Sequence, residues 1–182
     1  SPMGNILIGR AIDSGYVQIA GPQPVKELKE VTSLISSYQV DLILIDGAID
    51  RKASAAPLVS QGCILATGAV LSRDIKRLVE ETLYTAKLLS LKEVDPSYRK
   101  PIKNLIENNK IGLVNEDLQV ESLNIRTAIN NGRLIGERIK GDTRYIVIPG
   151  SLVDTTIEDL IQAPAYKKNS KVEIAVQDGT KI

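Results

Sequence analysis

Hydrophobic and polar positions along this chain follow two periods, one typical of strands and one typical of helices. Aliphatic residues occupy alternate positions in 5–12 and 16–20, on either side of a turn-forming Asp-Ser-Gly. This pattern predicts a two-stranded hairpin at a sheet edge near the N-terminus. Residues 42–45 (LILI) and 62–66 (GCILA) are almost wholly apolar, as in strands buried on both faces of a parallel sheet. Two further strands are predicted at 144–148 and 171–177.

Helical spacing predicts the connections between these strands. Apolar residues recur every three or four positions in 24–38, and again in 75–89 after the capping residue Ser72. A shorter helix is predicted to begin at Thr155 or Thr156. Strands that alternate with helices indicate parallel pairing through crossover helices. We therefore predict an α/β fold with a mostly parallel sheet.

The domain organisation is less regular in the middle of the chain. Residues 92–143 carry helical spacing only at 101–109 and 123–130, between polar stretches, and we predict a helical insertion there. The rest of 3–182 is expected to form a single domain. We expect residues 1–2 to be an expression remnant, and the chain to be a fragment of a longer protein because it stops shortly after the last predicted strand.

Composition excludes several kinds of chemistry. The net charge of +1 and the lack of Phe and Trp argue against a dedicated nucleic-acid binder. With no histidine and only Cys63, the chain has no imidazole base, no Cys/His zinc site and no intrachain disulfide. A bound metal would be a hard ion, magnesium first. No apolar run approaches the roughly 20 residues that span a bilayer, and no signal peptide is visible, so we expect no membrane association and a cytoplasmic location.

Four predicted strands end in small or polar residues, and this is the main functional signal. In open parallel sheets the carboxyl ends of the strands gather at one edge, where ligands bind. Glycine at such a point lets a ligand approach the backbone closely. The four strand ends are Asp46-Gly47, Thr67-Gly68, Gly150-Ser151 and Asp178-Gly179-Thr180.

Asp46 and the long loop after it, residues 47–61, are the strongest part of this predicted site. A buried strand that ends in a carboxylate is typical of magnesium positioning in nucleotide-hydrolysing folds, and long loops in compact domains are often functional. We predict that Asp46 positions Mg²⁺ with ATP or GTP, that Arg51 or Lys52 contacts phosphate, and that strand-end hydroxyls donate hydrogen bonds. The predicted ligand-binding residues are Asp46, Gly47, Asp50, Arg51, Lys52, Thr67, Gly68, Gly150, Ser151 and Asp178.

Two observations keep other interpretations open. Glycine after a strand and Ser or Thr before a helix are also ordinary turn and capping residues. The phosphate-loop pattern G-x-x-x-x-G-K-[ST] does not occur, because the nearest match, at Gly136–Gly141, is followed by Asp142 in place of lysine. The nucleotide itself, and whether any reaction is catalysed, therefore stay open.

Residues 41–71 contain the most distinctive elements, Asp46-Gly-Ala-Ile-Asp-Arg51 and Ala66-Thr-Gly-Ala69. They resemble the D-G-A-x-D-R and A-T-G-A elements of bacterial accessory or reactivating proteins associated with lysine 5,6-aminomutase and ornithine aminomutase. The strand ends at 148–152 and 176–181 look like later elements of that family.

The resemblance implies an accessory protein that frees an adenosylcobalamin-dependent aminomutase of damaged cofactor, driven by nucleotide turnover. Its partner would be the aminomutase or a sister accessory subunit. The alternative is a non-catalytic protein-interaction module with no nucleotide site, in which polar loops and the segment 92–143 contact a partner.

Overall fold

The computed structural model describes residues 4–22, 24–46, 55–56 and 59–182. Its contacts divide the chain into two compact units, Ser1–Asp74 and Ile75–Ile182. Each unit is described by itself.

The first unit contains helix α1, Val25–Ser36, which confirms the helix predicted at 24–38. Pro24 precedes it in an extended conformation, with φ −68° and ψ 135°, and the amide of Leu28 donates to the Pro24 carbonyl at 3.0 Å. Proline suits this N-cap position because the N–H that it lacks would have no partner within the helix. The helix stops before Gln39, which has a positive φ of 56°.

The strands predicted in the first unit are not present in its described residues. Residues 5–12, 16–20, 42–45 and 62–66 pair with no neighbouring strand, so the edge hairpin and the two buried strands were wrong. Side chains in these segments are largely exposed, including Ile12 and Ile64. The apolar pattern indicates residues that gain by burial, but a strand also needs a hydrogen-bonded partner.

The second unit is built on a four-stranded sheet in the order β2-β1-β3-β4. β1 pairs antiparallel with β2 and with β3, and only β3 and β4 run parallel. The sheet of the described residues is therefore mixed and mostly antiparallel, which corrects the predicted parallel sheet. The α/β class is correct. The strands are β1 Gly112–Asn115, β2 Val120–Ser122, β3 Thr143–Ile148 and β4 Glu173–Val176.

Five helices of the described residues complete this unit. The segment 92–143 contains two of them, α3 and α4, but it also supplies β1 and β2, and residues 123–130 are not helical. Strands of three and four residues are too short to show a clear period in the sequence. The helices are α2 Ile75–Leu89, α3 Arg99–Glu107, α4 Gly132–Gly136, α5 Asp154–Gln162 and α6 Pro164–Lys168, and 3-10 turns occupy Pro96–Tyr98 and Gly179–Lys181.

Alternation along β3 divides the core of this unit into two layers. Tyr145 and Val147 pack with Ile102 and Leu105 of α3 on one face of the sheet. Ile146 and Ile148 point to the other face, in a larger cluster to which Ile135 of α4 and Leu160 of α5 also belong. Because β3 is buried on both faces, it reads as a nearly continuous apolar run.

Glycines allow α4 to approach α5 and the residue after it very closely. A Cβ on Gly132 would lie 2.6 Å from the Cβ of Asp159, and one on Gly136 would lie 2.6 Å from the Cβ of Ala163. Residues four apart share one helix face. The two glycines therefore form the contact face of α4.

Candidate functional site

Seven of the ten predicted ligand-binding residues fall in the first unit or outside the described residues. Gly47, Asp50, Arg51 and Lys52 lie outside the described residues. The described residues Asp46, Thr67 and Gly68 follow segments that form no strand. Asp46 and Thr67 are exposed, and the Gly68 carbonyl accepts a hydrogen bond from the amide of Leu71 at 3.0 Å.

The other predicted residues, Gly150, Ser151 and Asp178, gather at one edge of the sheet in the second unit. β3 and β4 run parallel, with Ile148 paired to Val176. Gly150 and Asp178 each come two residues after this last pair. The structure thus brings two of the four predicted strand ends together, and we call Pro149–Ser151 with Asp178–Thr180 the carboxyl edge.

Asp178 is held in one orientation at the carboxyl edge. Its Oδ1 accepts hydrogen bonds from the backbone amide of Thr180, at 2.8 Å, and from the Thr180 hydroxyl. Gly179 between them is buried, and a Cβ there would lie 1.8 Å from the carbonyl oxygen of Leu88. The chain therefore needs glycine at 179, and Asp178 caps the turn that follows.

Two aspartates belong to the segments that follow β3 and β4. Asp154 lies in the first turn of α5, three residues after the exposed Ser151, while Asp178 is half-buried. A carboxylate in the first turn already satisfies the positive end of a helix dipole. A cation bound between a phosphate and these carboxylates would offset their repulsion.

A concave site lies at the opposite ends of the same strands. It is a cleft of about 470 Å³. Arg144 at the start of β3 and Gly150 after its end are separated by roughly 20 Å of extended chain. We call the cleft at the Arg144 end of these strands the charged cleft. It is lined by Tyr98, Glu116, Arg144, Ser170, Lys171 and Glu173.

Two ion pairs cross the charged cleft. Arg144 Nη2 lies 2.9 Å from Glu173 Oε1, and Lys171 Nζ lies 3.1 Å from Glu116 Oε1. The hydrogen bond to Glu173 raises the pKa of Arg144 above its ordinary value, against the opposing effect of burial. Arg144 also donates to the carbonyl of Lys171, so the guanidinium joins β3 to the residues that precede β4.

Two tyrosine rings and the Asn169 side chain stabilise the segments that line the cleft. The Tyr98 and Tyr145 rings are 5.0 Å apart between centroids, and the guanidinium carbon of Arg144 lies 5.1 Å from the Tyr145 centroid, within the range of a cation–π contact. Asn169 Nδ2 donates to the carbonyls of Lys140, at 3.1 Å, and of Thr143, at 2.9 Å. These contacts fix the start of β3 beside the turn before β4.

The charged cleft was not among the sites predicted from the sequence. Its signal was the alternation of charged residues at the start of two apolar strands, Arg144 in one and Lys171 and Glu173 in the other. Charged residues at strand starts are common on solvated surfaces. Only the parallel pairing, with Tyr145 opposite Glu173, brings these three side chains together.

Within the described residues, no three or more Asp, Glu or Cys side chains form a group that could hold a metal ion. None of the helices in the described part of the chain is long and apolar enough to cross a membrane. Comparison of the chain with protein-family models, with curated proteins and with solved structures gave no match.

Proposed function

We propose that this chain is an accessory domain of an adenosylcobalamin-dependent amino-acid aminomutase system, and that it binds a magnesium nucleotide at its carboxyl edge. The observation that carries the ligand proposal is the parallel pair β3–β4, with Ile148 opposite Val176. This pairing places Gly150-Ser151 beside Asp178-Gly179-Thr180. The aminomutase part of the proposal is based on the D-G-A-x-D-R and A-T-G-A elements at 46–51 and 66–69.

The charges of the carboxyl edge favour a nucleotide with its magnesium ion over a bare phosphate. Asp178 and Asp154 would repel a phosphate that arrived alone, whereas Mg²⁺ prefers carboxylate, phosphate and water oxygens. Asp178 Oδ1 is occupied by Thr180, which orients the carboxylate. Ser151 is exposed, and its hydroxyl would donate to a phosphate oxygen.

Thermal unfolding with ATP or GTP and Mg²⁺ tests the ligand site. A ligand at about a hundred times its dissociation constant stabilises the folded state by about 2.7 kcal/mol. We expect Asp178→Asn to lose this shift. The asparagine oxygen still accepts the Thr180 amide, so the turn is kept. Ser151→Ala should reduce the shift.

Two further variants complete that experiment. Asp117→Asn changes an exposed aspartate in the turn between β1 and β2 and should keep the full shift. Asp46→Ala tests the magnesium ligand predicted from the sequence, and a retained shift would exclude Asp46 from that role. If neither nucleotide raises the unfolding midpoint of the unmodified chain, the ligand proposal is wrong.

The accessory role has a separate test. Lysine 5,6-aminomutase or ornithine aminomutase is inactivated with cyanocobalamin and then incubated with the chain, magnesium ATP and fresh adenosylcobalamin. Recovered mutase activity, absent with an unrelated protein and reduced with Asp178→Asn, is the expected result. Recovery no greater than with the unrelated protein would contradict the accessory role.

A non-catalytic interaction module is the second candidate function. It is favoured because both aspartates that follow β3 and β4 already stabilise the fold. Asp178 caps the turn at Gly179–Lys181, and Asp154 lies in the first turn of α5. Such a module would co-sediment with an aminomutase or its sister subunit in the ultracentrifuge. Its thermal unfolding would be indifferent to every nucleotide.

A further inference from the structure

We propose that the charged cleft binds a small zwitterion that carries both a carboxylate and an ammonium group, the class to which free amino acids belong. The cleft lies at the opposite strand ends from the carboxyl edge and is independent of the nucleotide proposal. Its lining contains two cations, Arg144 and Lys171, and two carboxylates, Glu116 and Glu173. A ligand with one charge of each sign therefore finds an opposite partner for both.

Arg144 is the group that would receive the ligand's carboxylate. Its side chain is only 25% exposed, and it is already oriented by Glu173 and by the carbonyl of Lys171. A guanidinium has five N–H donors in a fixed plane. Nη1 and Nη2 of Arg144 each already use one donor, and the remaining N–H groups would donate to the ligand's carboxylate. Because the side chain is fixed before binding, little conformational entropy is lost when the ligand arrives.

Glu116 and Glu173 would receive the ligand's ammonium group. Both side chains are about half exposed, at 51% and 49%. Lys171, which pairs with Glu116, is 72% exposed, so its flexible side chain can turn into solvent and release that carboxylate. Exposed ion pairs of this kind are weak, and a ligand ammonium can replace the lysine at low cost.

The same charges disfavour a phosphate or another simple anion. An anion that reached Arg144 would also lie close to Glu173, which is paired with Arg144 at 2.9 Å and would repel the anion. The cleft of about 470 Å³ falls within the usual range of small-molecule sites. The half-buried ring of Tyr98 offers an apolar wall to the ligand's carbon atoms.

NMR titration of the isotopically labelled chain tests the proposal. The probes are free α-amino acids with apolar, acidic and basic side chains, each compared with its N-acetyl and its carboxamide derivative. We expect at least one amino acid to shift the amide resonances of Arg144, Lys171 and Glu173. Both derivatives, which lack one of the two charges, should bind at least about tenfold more weakly.

Variants locate the binding. Arg144→Lys keeps the positive charge and loses the planar N–H donors of the guanidinium, and should weaken binding about tenfold, as should Glu173→Gln. The matched control is Glu107→Gln, which breaks the exposed Lys103–Glu107 pair on α3 and should leave the affinity unchanged. Circular dichroism verifies that each variant is folded.

Three results would overturn the proposal. The first is that no amino acid shifts these resonances, in which case the ion pairs only join the strands. The second is that acetate or inorganic phosphate binds as tightly as the amino acids. The third is that folded Arg144→Lys and Glu173→Gln variants bind with unchanged affinity.

Discussion

The close contact between α4 and the residue after α5 gives a quantitative prediction for Gly136→Ala. A Cβ at 136 would lie 2.6 Å from the Cβ of Ala163, whereas nonbonded carbons prefer about 3.5–4.0 Å. Both atoms are attached directly to the backbone, so no rotamer change relieves the overlap. Relief requires α4 to move by about 1 Å. Overpacking of this kind lowers the free energy of unfolding by about 1–3 kcal/mol. The higher helix propensity of alanine raises it by up to about 1 kcal/mol.

Taking the middle of each range, a cost of about 2 kcal/mol and a gain of about 0.5 kcal/mol, we expect Gly136→Ala to lower the free energy of unfolding by roughly 1.5 kcal/mol. Ala163→Gly removes the opposing Cβ, and the next atoms near residue 136 are then the Cα of residue 163 and Leu160 Cδ2, both at 4.0 Å. In the Ala163→Gly background, Gly136→Ala should be neutral or stabilising. Helix propensity cancels in this double-mutant cycle, so the cycle isolates the steric contact.

Urea denaturation of the four proteins in the cycle, followed by circular dichroism, measures these free energies. The control is Gly141→Ala, because a Cβ at 141 meets nothing within 4 Å. Its expected effect is a gain of about 0.4–1 kcal/mol, since alanine restricts the unfolded chain. Two results would refute the reasoning: Gly136→Ala as stable as the unmodified chain, or the same loss in both backgrounds.

Two other contacts of the second unit give predictions of the same kind. Thr156 is fully buried, and its hydroxyl donates to the Ala128 carbonyl at 3.0 Å, so Thr156→Val should lower the free energy of unfolding by about 1 kcal/mol in urea denaturation. The exposed neighbour Thr155 changed to valine should stay within about 0.5 kcal/mol of the unmodified chain, and equal effects at both positions would contradict the bond. Hydrogen bonds from the side chain and backbone of Ser97 lower the pKa of Asp95, so Ser97→Ala should raise the Asp95 midpoint in an NMR titration. Because the pKa of Asp95 is lowered in the folded state, its contribution to stability is present above its ordinary pKa and is lost as the pH falls through the folded value. If the Asp95 titration midpoint is unchanged in Ser97→Ala, the Ser97 hydroxyl is not the main cause of the lowered pKa.

Elements could be predicted from the sequence where the spacing of apolar residues repeats several times within one segment. Helices α1, α2 and α5 were expected at nearly their observed positions, because spacing every three or four residues specifies one buried face without reference to distant residues. Strands β3 and β4 were expected for a similar reason, as apolar runs bounded by turn residues. The strands β1 and β2, of four and three residues, were missed because so few positions show no period.

Pairing between strands could not be predicted in the same way. The runs at 42–45 and 62–66 suggested a parallel sheet, yet the pairings of the described residues are two antiparallel and one parallel. A strand's own residues indicate which side chains gain by burial, and they leave its neighbour and direction open. The parallel sheet was predicted from the apolar residues alone, which indicate burial but do not specify which strands pair or in which direction.

The two candidate sites show the same division. The residue types that end β3 and β4, glycine, serine and aspartate, are visible in the sequence and led to the carboxyl edge. Their adjacency, and the meeting of Arg144, Lys171 and Glu173 at the other strand ends, follow from the register that sets Tyr145 opposite Glu173. The sequence by itself determined which functional groups the chain contains and where most of its helices lie. Only the tertiary structure decided which groups meet, because register depends on hydrogen bonds between strands about 25 residues apart in the chain.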